Sequence, residues 1–132
     1  MTHEEVSKLT DEEIRIKVAE LCGYHIYVEN KEGWAFLCAP NGDRLSDSYH
    51  PACRTTMWLK FVPNYPQDLN ACHAMEKCLT DEQWGKYTAH LLDIVSEHID
   101  KENARLRSVC YCSATARRRC NAFVMTMTEE NP

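Results

Sequence analysis

The sequence predicts a single α/β (α+β) domain over residues 1–132, with a small antiparallel or mixed sheet of about four strands sandwiched by about four helices. Three observations support this fold class. The chain has 132 residues, 44% of them apolar, which suits one domain with its own core. Two capping sequences open runs with helical spacing, and short β-branched and aromatic runs lie between the helical segments.

The first predicted helix runs from about Asp11 to Cys22. Thr10 and Glu13 have the spacing of a capping box, in which each side chain accepts the backbone N–H of the other residue. Apolar residues then follow at helical spacing, and Gly23 supplies a left-handed stop.

Four segments are predicted to be strands. Residues 24–29 and 34–38 are rich in β-branched and aromatic side chains, and the turn at 30–33 predicts that they form a hairpin. Thr55 to Val62 is predicted to be a third strand, which ends at a segment with two prolines. Ser108 to Cys112 is predicted to be a short fourth strand.

Three further helices follow the third strand. Asp68 can cap a helix that carries Leu69, Cys72, Met75 and Leu79 on one face. Thr80 with Gln83 forms a second capping box that opens the longest helix. We expect that helix either to fray or to project into solvent over 97–107. The segment 93–107 is a candidate dimer contact. A last amphipathic helix starts near Thr115, and Trp34, Trp58 and Trp84 are predicted to lie in the core.

Composition restricts the function classes. The net charge of −5 argues against a protein that coats nucleic acid or an anionic membrane. The N-terminus lacks a secretory signal, and no run of about 18 apolar residues predicts a membrane span, so a cytoplasmic location is expected. In a reducing compartment the cysteines are predicted to be free thiols. Five are expected to pack as small hydrophobes: Cys22, Cys38, Cys72, Cys78 and Cys120.

An arginine cluster is the main candidate site. Arg117, Arg118 and Arg119 stand at the start of the last helix, where the helix dipole makes positive charge unfavourable unless an anion offsets it. From Arg105 to Arg119 there are five arginines and no acidic residue, although the chain as a whole is acidic. Any anion binding is therefore expected to be local.

Two interpretations of this cluster stay open. The first is a phosphate or nucleotide site formed by the three arginines with Arg107 and Thr115, since guanidinium groups beside helix N–H donors suit phosphate. Asn64 and Tyr65, in a proline-bounded loop, complete that site, and Tyr65 could stack on a base. The second, which we favour, is pairing with carboxylates of this chain, such as Glu12–Glu13 or Asp81–Glu82.

Metal binding and nucleophilic catalysis have weaker patterns. Soft ligands occur at Cys72–His73, His98, Cys110, Cys112 and Cys120, but structural zinc sites show two ligand pairs spaced two to four residues apart. Cys72 and His73 are neighbours on a helix and point about 100° apart, which does not suit a nucleophile and its base. No metal, cofactor or catalytic residue is therefore predicted.

Two segments resemble the phage ABA sandwich domain family of small phage and prophage proteins. The first comprises Phe61–Tyr65 with Asp68–Leu79, and the second is Ala114-Thr-Ala-Arg-Arg-Arg-Cys-Asn-Ala-Phe123. Leu9 to Ile14 resembles the family's N-terminal helix more weakly. The resemblance implies a sheet sandwiched by helices and a viral or prophage origin. It implies little about activity, because the family's function is largely unassigned, although some similar small phage proteins are thought to counter bacterial defence.

The function expected from these observations is binding. We expect a phage or prophage accessory protein that inhibits a host defence or regulatory system, by contact with a host protein or by capture of a phosphate-bearing nucleotide second messenger. The location expected is the host cytoplasm, with no membrane or nucleic-acid partner, and a homo-oligomer is possible. The alternative is a small enzyme or a metal-dependent nucleic-acid-binding protein.

Overall fold

The computed structural model describes residues 1–96 and 114–129, of which 60% are helical. These residues form six α-helices, two 3₁₀ helices and a two-stranded antiparallel sheet. The elements, in chain order, are α1 (His3–Ser7), α2 (Asp11–Leu21), β1 (His25–Val28), β2 (Ala35–Cys38), a 3₁₀ helix (Pro51–Cys53), α3 (Arg54–Phe61), a second 3₁₀ helix (Tyr65–Gln67), α4 (Leu69–Glu76), α5 (Asp81–Ser96) and α6 (Ala116–Thr128).

Threonine capping boxes set the start of three helices. Thr10 and Thr80 each accept the backbone N–H of the residue three positions later, at 3.1 and 3.2 Å, and that residue's side chain accepts the threonine N–H in return. Both predicted boxes are therefore confirmed. Thr2 forms a third box at the start of α1. The sequence analysis missed α1, because five residues are too few to show an apolar repeat.

The predicted hairpin is confirmed. β1 pairs antiparallel with β2, with Ile26 opposite Leu37 and Tyr27 opposite Phe36. The turn between the strands includes Gly33, whose φ of 88° lies in the left-handed region that favours glycine. On its other side, β2 bonds to residues 44–49, where Ala35 exchanges backbone hydrogen bonds with Tyr49. The strand β2 therefore lies between β1 and this segment.

The predicted third strand is wrong, because residues 54–61 form helix α3. A strand here would need a partner edge, whereas a helix satisfies its own backbone. The helix also buries Trp58, whose indole N–H donates to the Tyr49 hydroxyl at 3.0 Å. Arg15 on α2 then donates to the carbonyls of Leu59, at 2.9 Å, and Val62, at 2.6 Å, which would otherwise lack partners at the helix end. Tertiary contacts override the β propensity of this segment.

The four-stranded sheet is not present in the described residues. The third segment is helical, and the predicted fourth strand, 108–112, lies outside the part of the chain that the structure describes. Residues 97–107, including the expected projecting end of the longest helix, lie outside it as well. Within residues 1–96 and 114–129 the architecture is helical with one hairpin at its side.

The middle helices start as predicted, but some of their expected core residues are exposed. The Asp68 side chain caps α4 by accepting the Asn70 N–H at 2.9 Å. Leu69 is 49% exposed and Trp84 39%, because each lies in the first turn of its helix, at the rim of the core. Cys78 follows the end of α4 and is also exposed, contrary to the prediction of a buried thiol. No helix in the described ranges has the length and apolar character needed to cross a membrane.

The last helix is the centre of the fold. It starts at Ala116 with Thr115 as its N-cap, as predicted, and packs against α1, α2, α4 and α5. Its buried residues lie on every side of the helix: Ala116, Arg119, Cys120, Asn121, Ala122, Phe123, Val124 and Thr126. The sequence predicts an amphipathic helix with one apolar stripe, whereas the buried side chains include the polar residues Arg119, Asn121 and Thr126. The buried surface of the helix is therefore wider than its apolar stripe.

The capping box of α2 predicts a pH dependence of stability. Hydrogen bonds from the backbone and side chain of Thr10 hold the pKa of Glu13 below its ordinary value of 4.5. This stabilisation is fully present above the unfolded pKa and is lost as the pH falls through the folded one. We expect Glu13→Gln, which keeps the cap as Gln83 does in α5, to flatten the decline in urea midpoint between about pH 6 and about pH 3.

Glu12→Gln is the matched control, because Glu12 is exposed on the same helix turn and takes no part in the capping box. Its urea midpoints should follow those of the wild type over the whole range. An unchanged acid profile in Glu13→Gln would show that the box does not contribute to acid unfolding.

Candidate functional site

Arg117 connects the start of the central helix to the junction between α1 and α2. Its Nη2 donates to the carbonyl oxygens of Leu9, at 2.7 Å, and Val6, at 3.1 Å. Its Nη1 donates to Asp11 Oδ1 at 2.7 Å, and its Nε donates to Asn121 Oδ1 at 2.9 Å. The Arg117 guanidinium group therefore satisfies carbonyls at the end of α1 and binds a carboxylate at the start of α2.

The carboxylate that pairs with Arg117 belongs to the same chain, as the favoured interpretation predicts. The residue differs from those expected: the ion pair is with Asp11, and neither Glu12–Glu13 nor Asp81–Glu82 is the partner. Asp11 is the first residue of α2, where a carboxylate also interacts favourably with the helix dipole. Three nitrogen atoms of Arg117 thus have partners inside the protein.

Arg119 enters a buried polar cluster on the opposite side of α6. Two residues along a helix correspond to a rotation of about 200°, so Arg117 and Arg119 point in nearly opposite directions. The side chain of Arg119 is 5% exposed and its Nη1 lies 3.4 Å from Glu76 Oε2 on α4. Its Nε donates to the Ala114 carbonyl at 3.2 Å.

Among the described residues Glu76 also contacts Tyr87 and His73. The Tyr87 hydroxyl on α5 donates to Glu76 Oε2 at 2.7 Å, and His73 Nδ1 lies 3.3 Å from Oε1. Burial, together with the neighbouring Glu76 carboxylate, raises the pKa of Tyr87 well above its ordinary value. The phenol therefore stays protonated and donates to the carboxylate. A buried charge with this number of partners holds α4, α5 and α6 in one arrangement.

The remaining predicted arginines and Thr115 do not join this cluster. The Thr115 hydroxyl accepts the Arg118 backbone N–H at 3.2 Å, as the N-cap of α6. The Arg118 side chain is half-buried and makes no hydrogen bond or ion pair with residues 1–96 or 114–129. Arg107 lies outside the described residues. The three adjacent arginines therefore have three different environments.

Asn64 and Tyr65 stabilise the turn before α4. The Asn64 amide donates to Gln67 Oε1 at 3.2 Å, and Tyr65 is 2% exposed. Burial near Cys22 and Tyr24 raises the pKa of the Tyr65 hydroxyl. The ring that could have stacked on a base therefore lies in the core, where it packs with other apolar residues.

A groove lies over the Glu76 cluster, between α4 and α5. It has a volume of about 520 Å³ and is lined by His73, Glu76, Lys77 and Trp84. Trp84 packs on Tyr87 with ring centroids 5.5 Å apart. A half-exposed tryptophan thus stands beside a histidine and a lysine, above a buried ion pair. The groove is the candidate functional site, since partly exposed aromatic anchors near fixed polar groups are typical of binding surfaces.

The cysteines do not form a metal site in the described ranges. No group of three or more histidine, cysteine, aspartate or glutamate side chains there could hold a metal ion. Cys72 is buried, and its thiol donates to the Tyr65 carbonyl oxygen at 3.1 Å. Interaction with Cys72 and burial raise the pKa of the Cys120 thiol, so that it stays protonated. Cys110, Cys112 and His98 lie outside the described residues.

Sequence reasoning missed Glu76, Tyr87 and His73 as members of one cluster. The sequence indicates part of this cluster. Glu76 lies four residues after Cys72, so its carboxylate is on the helix face that packs inward. A lone acidic residue on an apolar face predicts a buried partner, but the sequence does not show which arginine lies opposite. The Arg119 pairing depends on how α4 and α6 pack.

Comparisons with protein-family models, with curated proteins and with solved structures find no match to this chain. The resemblance to the phage ABA sandwich domain family therefore stays a prediction.

Removal of the Arg117 side chain should destabilise the protein. Arg117→Ala removes the side-chain donor of the Val6 and Leu9 carbonyls and of Asp11, although the Val6 carbonyl still accepts the Leu9 backbone N–H, and we expect a loss of about 2–3 kcal/mol in the free energy of unfolding. Arg117→Lys should recover little, because an ammonium group cannot reproduce the planar fork. Urea unfolding measures both values.

Arg118→Ala is the control for this experiment. It removes the neighbouring arginine without any of these contacts, so its stability should stay within about 0.5 kcal/mol of the wild type. Equal losses in Arg117→Ala and Arg118→Ala would contradict the anchoring role of Arg117.

Loss of the Glu76 charge should have a larger effect. Glu76→Gln removes the carboxylate charge that lies 3.4 Å from the buried Arg119 guanidinium group, and we expect a loss of about 3–5 kcal/mol in the free energy of unfolding in urea. The double variant Glu76→Leu with Arg119→Met removes both charges and should recover a large part of that loss.

Glu82→Gln, at an exposed position of α5, should leave the stability unchanged. If Glu76→Gln were as stable as Glu82→Gln, the ion pair with Arg119 would not exist in solution.

Proposed function

We propose that this protein is a phage or prophage accessory protein that acts in the host cytoplasm by binding, and that it inhibits a host defence or regulatory protein by direct contact. The observation that carries the proposal is Trp84, 39% exposed at the groove between α4 and α5. The phage origin rests on the sequence resemblance. The binding mode rests on the groove.

The chemistry of the groove suits a protein partner. Tryptophan is enriched among the residues that dominate protein–protein binding energy, since its ring buries a large apolar area. His73 and Lys77 add polar groups at the rim of the groove. Beneath them the buried Glu76 carboxylate links α4 to α5 through Tyr87 and to α6 through Arg119, so that little conformational entropy is lost when a partner binds.

Capture of a phosphate-bearing nucleotide is the second candidate. What favours it is Arg118, which lies near the N-cap of α6 and whose guanidinium group makes no hydrogen bond or ion pair with the described residues. Against it stand the partners of the two neighbouring arginines inside the protein and the burial of Tyr65. Contact with a protein is therefore the form of binding that we propose first.

The proposal predicts a loss of function in Trp84→Ala. Expressed in bacterial strains that each carry one defence system, the wild-type protein should restore phage plaques on at least one strain. Trp84→Ala should not restore them, because it removes the proposed anchor. Trp34→Ala is a matched control with the same 39% exposure at a different surface, and it should act like the wild type.

Two results would contradict the proposal. One is an absence of restored plaques on every strain, and the other is full activity of a folded Trp84→Ala variant. A panel of cyclic and linear nucleotides tests the second candidate: a rise in melting temperature that Arg118→Ala removes would favour nucleotide capture over protein contact.

A further inference from the structure

One edge of the hairpin has no partner in the described part of the chain. Strand β2 uses both of its edges: it pairs with β1 on one side, and on the other Ala35 bonds to Tyr49 and the Leu37 carbonyl accepts the Leu45 N–H at 2.8 Å. Strand β1 pairs only with β2 among residues 1–96 and 114–129. Its outer edge therefore carries backbone donors and acceptors that no described segment satisfies.

The register identifies the residues that present this edge. The Glu29 N–H donates to the Trp34 carbonyl at 2.7 Å, so alternate residues Glu29, Tyr27 and His25 direct their backbone groups toward β2. The backbone N–H and C=O groups of Ile26 and Val28 consequently point outward. These two residues form the outer edge.

The side chains of β1 are exposed to an unusual degree for their type. Ile26 is 40% exposed, Tyr27 61% and Val28 54%, although all three are residues that favour buried sheet. Ile26 and Val28 lie on the sheet face that carries the buried residues Leu37 and Ala35, but beyond the edge of the core. An exposed, apolar strand edge is a template for pairing with another chain.

A second β1 strand fits this edge in an antiparallel register centred on Tyr27. When Tyr27 stands opposite Tyr27 of the second copy, Ile26 faces Val28 of that copy, and both residues direct their backbone groups across the junction. Shifting the pairing by one residue would place an outward-pointing residue opposite an inward-pointing one, which breaks the ladder.

Hydrogen-bonding complementarity supports the same register. His25 then stands opposite Glu29 of the second copy at both ends of the paired strands, so an imidazole meets a carboxylate twice. In this register the apolar side chains of Ile26 and Val28 also face each other across the junction. Tyr27 already stacks on Phe36 with ring centroids 5.2 Å apart, so the two hairpins would present a continuous aromatic row on the outer face.

We propose that β1 pairs antiparallel with β1 of a second copy of this chain, with Tyr27 at the two-fold axis. The two hairpins then form one four-stranded sheet across the dimer. This surface shares no residue with the groove at Trp84, so the proposal is independent of the proposed host partner.

The mass of the full-length chain in solution tests the proposal. Light scattering over a wide range of protein concentrations should give a mass that rises from 15.3 kDa toward twice that value. Tyr27→Lys should remain at the mass of one chain at every concentration, because two ammonium groups would face each other across the axis. Leu69→Lys, a control at 49% exposure on α4, should dimerise like the wild type.

Disulfide trapping tests the register. In a background with serine at Cys53, Cys78, Cys110 and Cys112, Tyr27→Cys places two thiols opposite each other at the axis. Diamide, which accepts their two electrons and two protons, should convert that variant to a covalent dimer. Val28→Cys should cross-link slowly or not at all, since its two copies would stand about 8 Å apart.

Three results would overturn the proposal. A wild-type chain that stays monomeric at all concentrations would show that a second copy does not occupy the edge. A dimer that survives in Tyr27→Lys would place the interface elsewhere. Faster cross-linking of Val28→Cys than of Tyr27→Cys would exclude the register.

Discussion

The guanidinium group of Arg117 joins three helices at one point, and the position of the central helix depends on it. Helix α1 ends at Ser7 and α2 begins at Asp11, so backbone carbonyls at the end of one helix and a carboxylate at the start of the other lie side by side. The Arg117 fork binds both. With α6 held there, its rotation about its axis is set, and Arg119 faces Glu76 on the other side.

A second arginine connects two helices in the same way. Arg15 on α2 donates to the carbonyls of Leu59 and Val62 at the end of α3, as Arg117 does at the end of α1. Short helices leave a large share of their carbonyls without intrahelical partners, and a planar group with several donors can satisfy two or three at once. The positive charge also interacts favourably with the helix C-terminus. Arginine thus serves here as a connector between helices.

The parts of the fold that local chemistry determines could be predicted from the sequence. The boxes at Thr10 and Thr80, the cap at Asp68 and the hairpin turn at Gly33 all depend on residues within a few positions of one another, and they are confirmed. Residues 55–62 could not be assigned in this way, because burial of Trp58 and the distant Arg15 make them helical.

For the same reason, the candidate site could be predicted only in part from the sequence. Charge segregation identified the arginines, and the expectation of a partner carboxylate in this chain is correct in kind, but the partners Asp11 and Glu76 lie 106 and 43 residues away from their arginines. Residues two apart on a helix also point to opposite sides, so Arg117 and Arg119, although close in sequence, make two separate anchoring contacts.

Native-state hydrogen exchange tests most directly the claim that α6 is the centre on which the other helices depend. The amides of residues 120–126 should exchange only through global unfolding, with the free energy measured by urea denaturation, while those of α1 and β1 exchange through local opening. If the amides of α6 exchanged as fast as those of α1, the last helix would open independently, and it could not be the element that positions the others.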